Sequence, residues 1–284
     1  MITVLWGAPA LAMAEAMPFR SEARFPLTVA PSGRFLVDAV GTPFLLCGDA
    51  AWSLVAELTR EDAEIYLEDR RARGFNAVLA SVVEHHFSTH PPTNAYGQQP
   101  FLMPGDFSTP NDAYFRHLDW LVRRAGEKGL LVMLAPAYLG IGGGEQGWYA
   151  EMAANGPERL RQYGHYLGSR YRDAANILWV HGGDYDPPDR ALVAAVAEGI
   201  REVAPNGLHT IHGAPETVVD EYWREAAPWL QLNSLYTYRP VAAKASAAYD
   251  RAQTIPFILL ESAYENEHGT TARDLRAQAY QALL

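Results

Sequence analysis

The 284-residue chain has one cysteine, Cys47, so an internal disulfide and any cysteine metal cluster are excluded. Inside the apolar run Phe44 to Cys47 that thiol is expected to be a small buried core residue. Positive charge is scarce: 23 Lys and Arg face 33 Asp and Glu, for a formal charge of −10. Such a surface repels phosphate backbones and anionic bilayers, so neither nucleic acid nor membrane is expected as a partner. No later apolar run approaches the ~20 residues of a membrane span. The apolar lead Met1 to Ala14 ends in the small-x-small triplet Ala12, Met13, Ala14, which has the form of a signal-peptidase site, yet it lacks the basic start of a secretory signal. Residues 1–23 are therefore read as a signal remnant or unstructured lead-in, and the protein as secreted or periplasmic. The stretch Gly140 to Gly147 has five glycines in eight residues but no Gly-Lys-Ser/Thr ending, which excludes a phosphate loop. Internal repeats, low-complexity tracts and domain linkers are also missing.

What is present is an alternation of apolar runs and amphipathic segments. Ile177, Leu178, Trp179 and Val180 read as a buried parallel strand that stops at Gly182, Gly183 and Asp184. Phe257 to Leu260 has the same build and runs straight into Glu261. Further strands are expected at 44–47, 75–83, 130–135, 209–212 and 230–236. Residues 24–43, with turns at Pro31 to Gly33 and Gly41 to Pro43, form a hairpin that closes the barrel floor. Helices are expected after Thr59, whose partner Asp62 makes a capping-box-like start, after Asn111 or Asp112, from Gly156-Pro157, and after Asp189; shorter ones are expected around 217–227 and 241–253. Seven strands each followed by a helix point to an α/β fold, a (β/α)8 TIM barrel spanning 24–284 as one domain. The eighth unit is not found, and the sequence is expected to be truncated or completed from elsewhere.

Catalytic groups of such barrels project from the carboxyl ends of the strands. That rim carries Asp49 and Trp52 after the first strand, Glu84, His85 and His86 after the second, and Pro136 and Tyr138 after the third. His181 and Asp184, then His212, Tyr236 and Tyr238, and finally Glu261 and Tyr264 follow the later strands. An acidic and aromatic rim suits a sugar, whose C–H faces stack on rings while carboxylates and imidazoles take the hydroxyls. Glycoside hydrolysis needs two carboxyl groups, and Asp184 and Glu261 face one another across the barrel. Asp184 would protonate the leaving oxygen, its proton favoured by the neighbouring carboxylate, and Glu261 would attack the anomeric carbon or orient water. Glu265 is the reserve for Glu261. Asp49, His85, His181 and Tyr236 would hold hydroxyls, Trp52 would form the stacking floor, and His86, Tyr138, Tyr238 and Tyr264 complete the substrate-binding set. The long connections 88–111 and 139–148 would set the sugar and linkage.

The segments Gly48 to Trp52, Gly74 to Asn76, Asn176 to Asp184, Tyr236 to Pro240 and Glu261 to Glu265 together resemble the apiosidase-like family of (β/α)8 glycoside hydrolases, over about residues 30–284. The resemblance implies a secreted bacterial enzyme acting on plant-wall glycans such as apiose-bearing pectin. It also implies a catalytic Asp after strand four and a catalytic Glu after strand seven, at Asp184 and Glu261. It is similar as well to the larger clan with carboxylates on those strands, whose Asn-Glu on strand four is Gly183-Asp184 here. The shorter Asp leaves retention or inversion open. The family continues through strand eight, whereas this chain ends at Leu284. A monomer is expected, with a carbohydrate substrate and no metal or cofactor. Two other readings stand beside this one. In a metal-dependent hydrolase, ligands would come from His85, His86, His209 and His212 with Asp184 or Asp49, although His209 and His212, three apart on a strand, point to opposite faces. In a non-catalytic carbohydrate-binding barrel one carboxylate would be misplaced.

Overall fold

The computed structural model describes residues 23–251 and 255–283. The signal-like lead Met1 to Ala14 lies outside the described residues, as do residues 15–22. The described chain opens with three two-residue strands, β1 (Thr28–Val29), β2 (Leu36–Val37) and β3 (Pro43–Phe44), paired antiparallel in that order. The expected hairpin is thus a three-stranded sheet. Its Leu27, Leu36 and Phe44 pack beneath the strand interior against Leu131, Met133 and Leu178, which makes it the barrel floor.

Five parallel strands follow in spatial sequence: β4 (Gly48–Ala50), β5 (Ala77–Ser81), β6 (Leu131–Ala135), β7 (Ile177–Gly182) and β8 (Leu208–His212). A second parallel pair, β9 (Asn233–Tyr236) and β10 (Phe257–Glu261), continues the array. The first barrel strand therefore begins one residue after Cys47, which sits exposed in the connection from β3 rather than in the core. No backbone ladder joins β8 to β9 among the described residues. Side-chain hydroxyls bridge them instead: Thr210 Oγ1 donates to the Leu232 carbonyl at 2.7 Å and Ser234 Oγ to the Ile211 carbonyl.

The helices are α1 (Leu54–Glu57), α2 (Arg60–Ala72), α3 (Asp112–Glu127), α4 (Tyr149–Tyr171), α5 (Ala191–Val203), α6 (Val219–Tyr222), α7 (Val241–Tyr249) and α8 (Ala272–Leu283). Thr59 caps α2 by accepting from the Asp62 N–H, and Asn111 caps α3 by accepting from the Ala113 N–H, so one first-turn donor is satisfied at each start. The helix expected from Gly156-Pro157 is the second part of α4. Its first turns begin at Tyr149, and Gly156, at φ 72°, breaks the regular backbone just before the proline.

Strand parity sorts the side chains into two layers. Leu131, Met133, Leu178, Val180 and Leu208 face the interior, while Val132, Leu134, Ile177, Trp179 and Ile211 face α3, α4 and α5. Both faces are apolar, as expected for parallel strands covered on both sides.

Candidate active site

The decisive local structure is the end of β7. Gly182 has φ 88°, and a Cβ there would come within 2.5 Å of the His212 carbonyl oxygen, which already accepts the Gly183 N–H at 2.7 Å. Gly183 has φ 132°, and its Cβ would sit 2.3 Å from the Tyr138 ring. Only glycine permits both approaches. The chain then turns through Asp184 at φ 51°, a region Asp enters more readily than most residues. The result aims the Asp184 carboxylate over the strand ends, where Tyr138 Oη donates to Asp184 Oδ2 at 2.6 Å.

Glu261 closes β10 and accepts at Oε1 from Tyr264 Oη at 2.7 Å. Between the two carboxylates stands His212, the last residue of β8. Its Nε2 lies 2.9 Å from Glu261 Oε2 and 3.8 Å from Asp184 Oδ1. The ring is clamped, stacked on Trp52 at 5.7 Å with a 15° interplanar angle and flanked by Tyr236 at 5.2 Å. One ligand atom from each of Asp184, His212 and Glu261 lies within 4.8 Å of the others. Asp184 Oδ1, Glu261 Oε2 and both His212 nitrogens are buried and make no hydrogen bond to the described residues. Adding one C–O bond at each end puts the two carboxyl carbons no more than about 7 Å apart.

The surrounding phenols are held protonated. Burial raises Tyr138, reinforced by its bond to Asp184; burial raises Tyr236, reinforced by Tyr238; and burial raises Tyr264, reinforced by the charge of Glu261. They remain hydrogen-bond donors through the neutral range. Tyr236 and Tyr238 share a hydroxyl contact at 2.8 Å, and Tyr238 stays more than half exposed.

The structure thus brings together Asp184, Glu261, Trp52, Tyr138, Tyr236, Tyr238 and Tyr264. Two expected hydroxyl-holding residues are turned away. Asp49 lies within β4 and faces α2, where Arg70 Nη1 and Tyr66 Oη each donate to Asp49 Oδ2 at 2.8 Å. His181 has the outward parity of Trp179. It is buried against His209, with Nε2 2.9 Å from His209 Nδ1, and both rings abut Trp229. Burial lowers the His181 pKa to about 3, and burial, with the neighbouring charges of His181 and Arg201, drives His209 well below its usual value. His85 is occupied by Glu151, at 3.1 Å, and by the edge of Trp148. His86 packs edgewise on Phe87. Glu265 is exposed. Asp189 accepts from the Ala191 N–H at the start of α5, and Asp186 ties Ala214 and Thr217 of the loop after β8, so neither joins the site. His212 emerges as the residue in closest contact with the pair. Its place after an apolar strand put it on the rim, but nothing in the sequence singled it out as the group between the carboxylates.

A family model described as apiosidase-like, catalytic domain, matches residues 30–284. The chain belongs to the apiosidase-like family. Among solved structures, one similar protein is a glycoside hydrolase family 5 protein from Bacteroides vulgatus. It is 23% identical with a TM-score of 0.78, covering 94% of this chain and 61% of that one. A second, titled glycoside hydrolase, is 25% identical with a TM-score of 0.77, covering 94% and 64%. The endo-1,4-beta-mannanase of Rhizomucor miehei shares the fold at 13% identity and a TM-score of 0.61, covering 85% and 83%. The apiosidase-like chain spans about three-fifths of the length of the first two. Comparison with curated proteins gave no match.

Proposed function

We propose that this apiosidase-like domain is an O-glycosyl hydrolase, and that Asp184 and Glu261 are its two catalytic carboxyl groups. The observation that carries the reading is the convergence of buried polar atoms: Asp184 Oδ1, Glu261 Oε2 and His212 Nε2 are close together at the strand ends, and Asp184 Oδ1 has no hydrogen-bond partner among the described residues. Buried polar groups without partners are rare and costly, and a bound hydroxylated substrate would satisfy them. The bound of about 7 Å on the carboxyl separation includes the whole ~5–5.5 Å range of a retaining pair and only the lower end of the ~6.5–9.5 Å that an inverting pair needs to admit water, and we take the retaining geometry as the working mechanism.

In this mechanism Asp184 gives its proton to the glycosidic oxygen as the bond to the anomeric carbon breaks. Glu261 attacks that carbon from the opposite face and forms a covalent glycosyl ester. Asp184, now a carboxylate, takes a proton from water, whose oxygen displaces Glu261. His212 and Tyr264 hold Glu261 in line, Tyr138 holds Asp184, and Trp52 supplies the apolar floor.

The substrate class proposed is a plant-type pectic polysaccharide, including apiose-bearing side chains, met outside the cell by a monomeric secreted or periplasmic protein. The family membership and the aromatic rings around the two carboxyl groups support this. The test is sugar release from apiogalacturonan, from rhamnogalacturonan-II-rich pectin and from a panel of 4-nitrophenyl glycosides, by the wild type and by Asp184→Asn and Glu261→Gln. Release by the wild type alone is expected; variants as active as the wild type would refute the pair.

The cluster of one imidazole nitrogen and two carboxylate oxygens also matches the donor set of a metal hydrolase. That second reading predicts loss of activity after dialysis against EDTA and recovery with Zn²⁺. The glycosidase reading predicts unchanged rates.

A further inference from the structure

The connection after β5 carries an exposed aromatic residue that the catalytic assignment does not use. Phe87 is 53% exposed, whereas Phe101 and Phe107, farther along the same connection, are fully buried against Trp148 and Tyr163. The chain beyond Phe87 is drawn off the strand ends. Thr89 donates its N–H and hydroxyl to Glu57, and Tyr96 Oη accepts the Arg60 N–H, so residues 89–96 lie along α1 and the start of α2 and leave the Phe87 ring uncovered.

The turn that presents this ring is built around a buried charge. Glu84, only 3% exposed, accepts Ser53 Oγ at one carboxylate oxygen. Its other oxygen receives the N–H groups of His85, His86 and Phe87 at 3.3, 3.3 and 3.1 Å. Charge-assisted bonds to three successive amides fix the backbone that carries the ring. Phe87 meets the Tyr138 ring edge-on, centroids 6.0 Å apart, and Tyr138 holds Asp184. From there the rings continue through Trp52, His212, Tyr236 and Tyr238 at spacings of 5.2–5.7 Å, ending at exposed Tyr238 on the Glu261 side.

We propose that Phe87 is the platform for the leaving group, and that this enzyme selects substrates whose leaving group is itself a ring with an apolar face. The inference rests on the hydrolase reading above. The acid protonates the bridging oxygen, so the leaving group departs on the side of Asp184, and Phe87 lies on that side, one ring beyond the Tyr138 that anchors the acid. A pyranose presents a C–H face to such a ring; a small alcohol does not.

The test compares Phe87→Ala and Phe87→Trp with the wild type on the 4-nitrophenyl and the methyl glycoside of one glycone, β-D-apiose first and then the sugar that the panel identifies. Each variant is referred to the wild type on the same substrate, which cancels the chemical difference between the leaving groups. Phe87→Ala should raise KM for the ring-bearing substrate roughly tenfold more than for the methyl glycoside, with little change in the kcat ratio, and Phe87→Trp should restore it. Equal effects of Phe87→Ala on both substrates, or none on either, would overturn the assignment while leaving the carboxylate pair standing. A wild type inert toward every glycoside would overturn both.

Discussion

The block of strands β5 to β8 and the pair β9 with β10 are built differently. Every residue of β5, β6, β7 and β8 is buried, the ladder is continuous, and α3, α4 and α5 cover the outer face with a large cluster of fully buried apolar residues. Each residue of β10 is only half-buried, α8 buries none of its described side chains, and the cluster behind β9 contains three buried residues, Leu235, Val241 and Ala245. Asp184 stands on the first region and Glu261 on the second. The seam between them is crossed by two hydroxyl bridges and by His212 reaching from β8 to Glu261. A densely packed element thus fixes the acid, while the second carboxylate is aligned by side-chain contacts across the seam.

The largest effect is expected where the two regions meet. Glu261→Gln keeps shape but removes the nucleophile, and should cut kcat by about 10³-fold or more with circular dichroism and melting temperature unchanged. Near-wild-type turnover would show that the two regions do not form one site. The packing contrast can be sharpened by truncating one leucine in each region. Leu134→Ala, in fully buried β6, should cost about 3 kcal/mol in urea unfolding, and Leu259→Ala, in half-buried β10, about half as much or less. Equal costs would erase the distinction. Gly183→Ala drives a methyl into the Tyr138 ring and forces a φ of 132° on a side chain. The resulting shift of Asp184 should lower kcat about 10²-fold, a smaller loss than removal of the carboxylate itself.

A further expectation concerns acid. The buried pair His181 and His209 is neutral in the folded protein, with the His181 pKa near 3 and His209 well below its usual value, whereas an unfolded histidine takes up its proton near pH 6.5. Both folded values are depressed, so the unfolded state binds more protons as pH falls. The contribution of the pair is fully present above 6.5 and declines below it, as the unfolded chain takes up protons that the folded pair excludes. Urea melts at pH 7, 6 and 5 should show this decline, and replacing both rings by phenylalanine should flatten it.

The strand runs were legible because buried parallel strands write themselves as unbroken apolar stretches, and Asp184 and Glu261 because each ends such a stretch with a carboxylate. The faces were not. In a strand apolar on both sides, nothing local says whether Leu178 or Trp179 looks inward, so the sequence alone puts His181 at the rim although it shares the outward parity of Trp179. Asp49 misled for a related reason. The first barrel strand begins at Gly48 rather than Phe44, which moves Asp49 from the strand's end into the strand, opposite Arg70 from a helix whose sequence gave no sign of that partner. His212 needed three strands in register before its position between the carboxylates existed. Such contacts are tertiary, and only the assembled array shows them.

The separation of Asp184 and Glu261 carries the account, and the stereochemistry of hydrolysis reads that separation chemically. Proton NMR of the reaction, begun immediately after mixing, records which anomer of the sugar forms first, before mutarotation. Retention of the anomeric configuration is predicted, as required by nucleophilic attack of Glu261 followed by water. First formation of the inverted anomer would contradict it, because the pair would then have to stand far enough apart to admit a water molecule between Glu261 and the sugar.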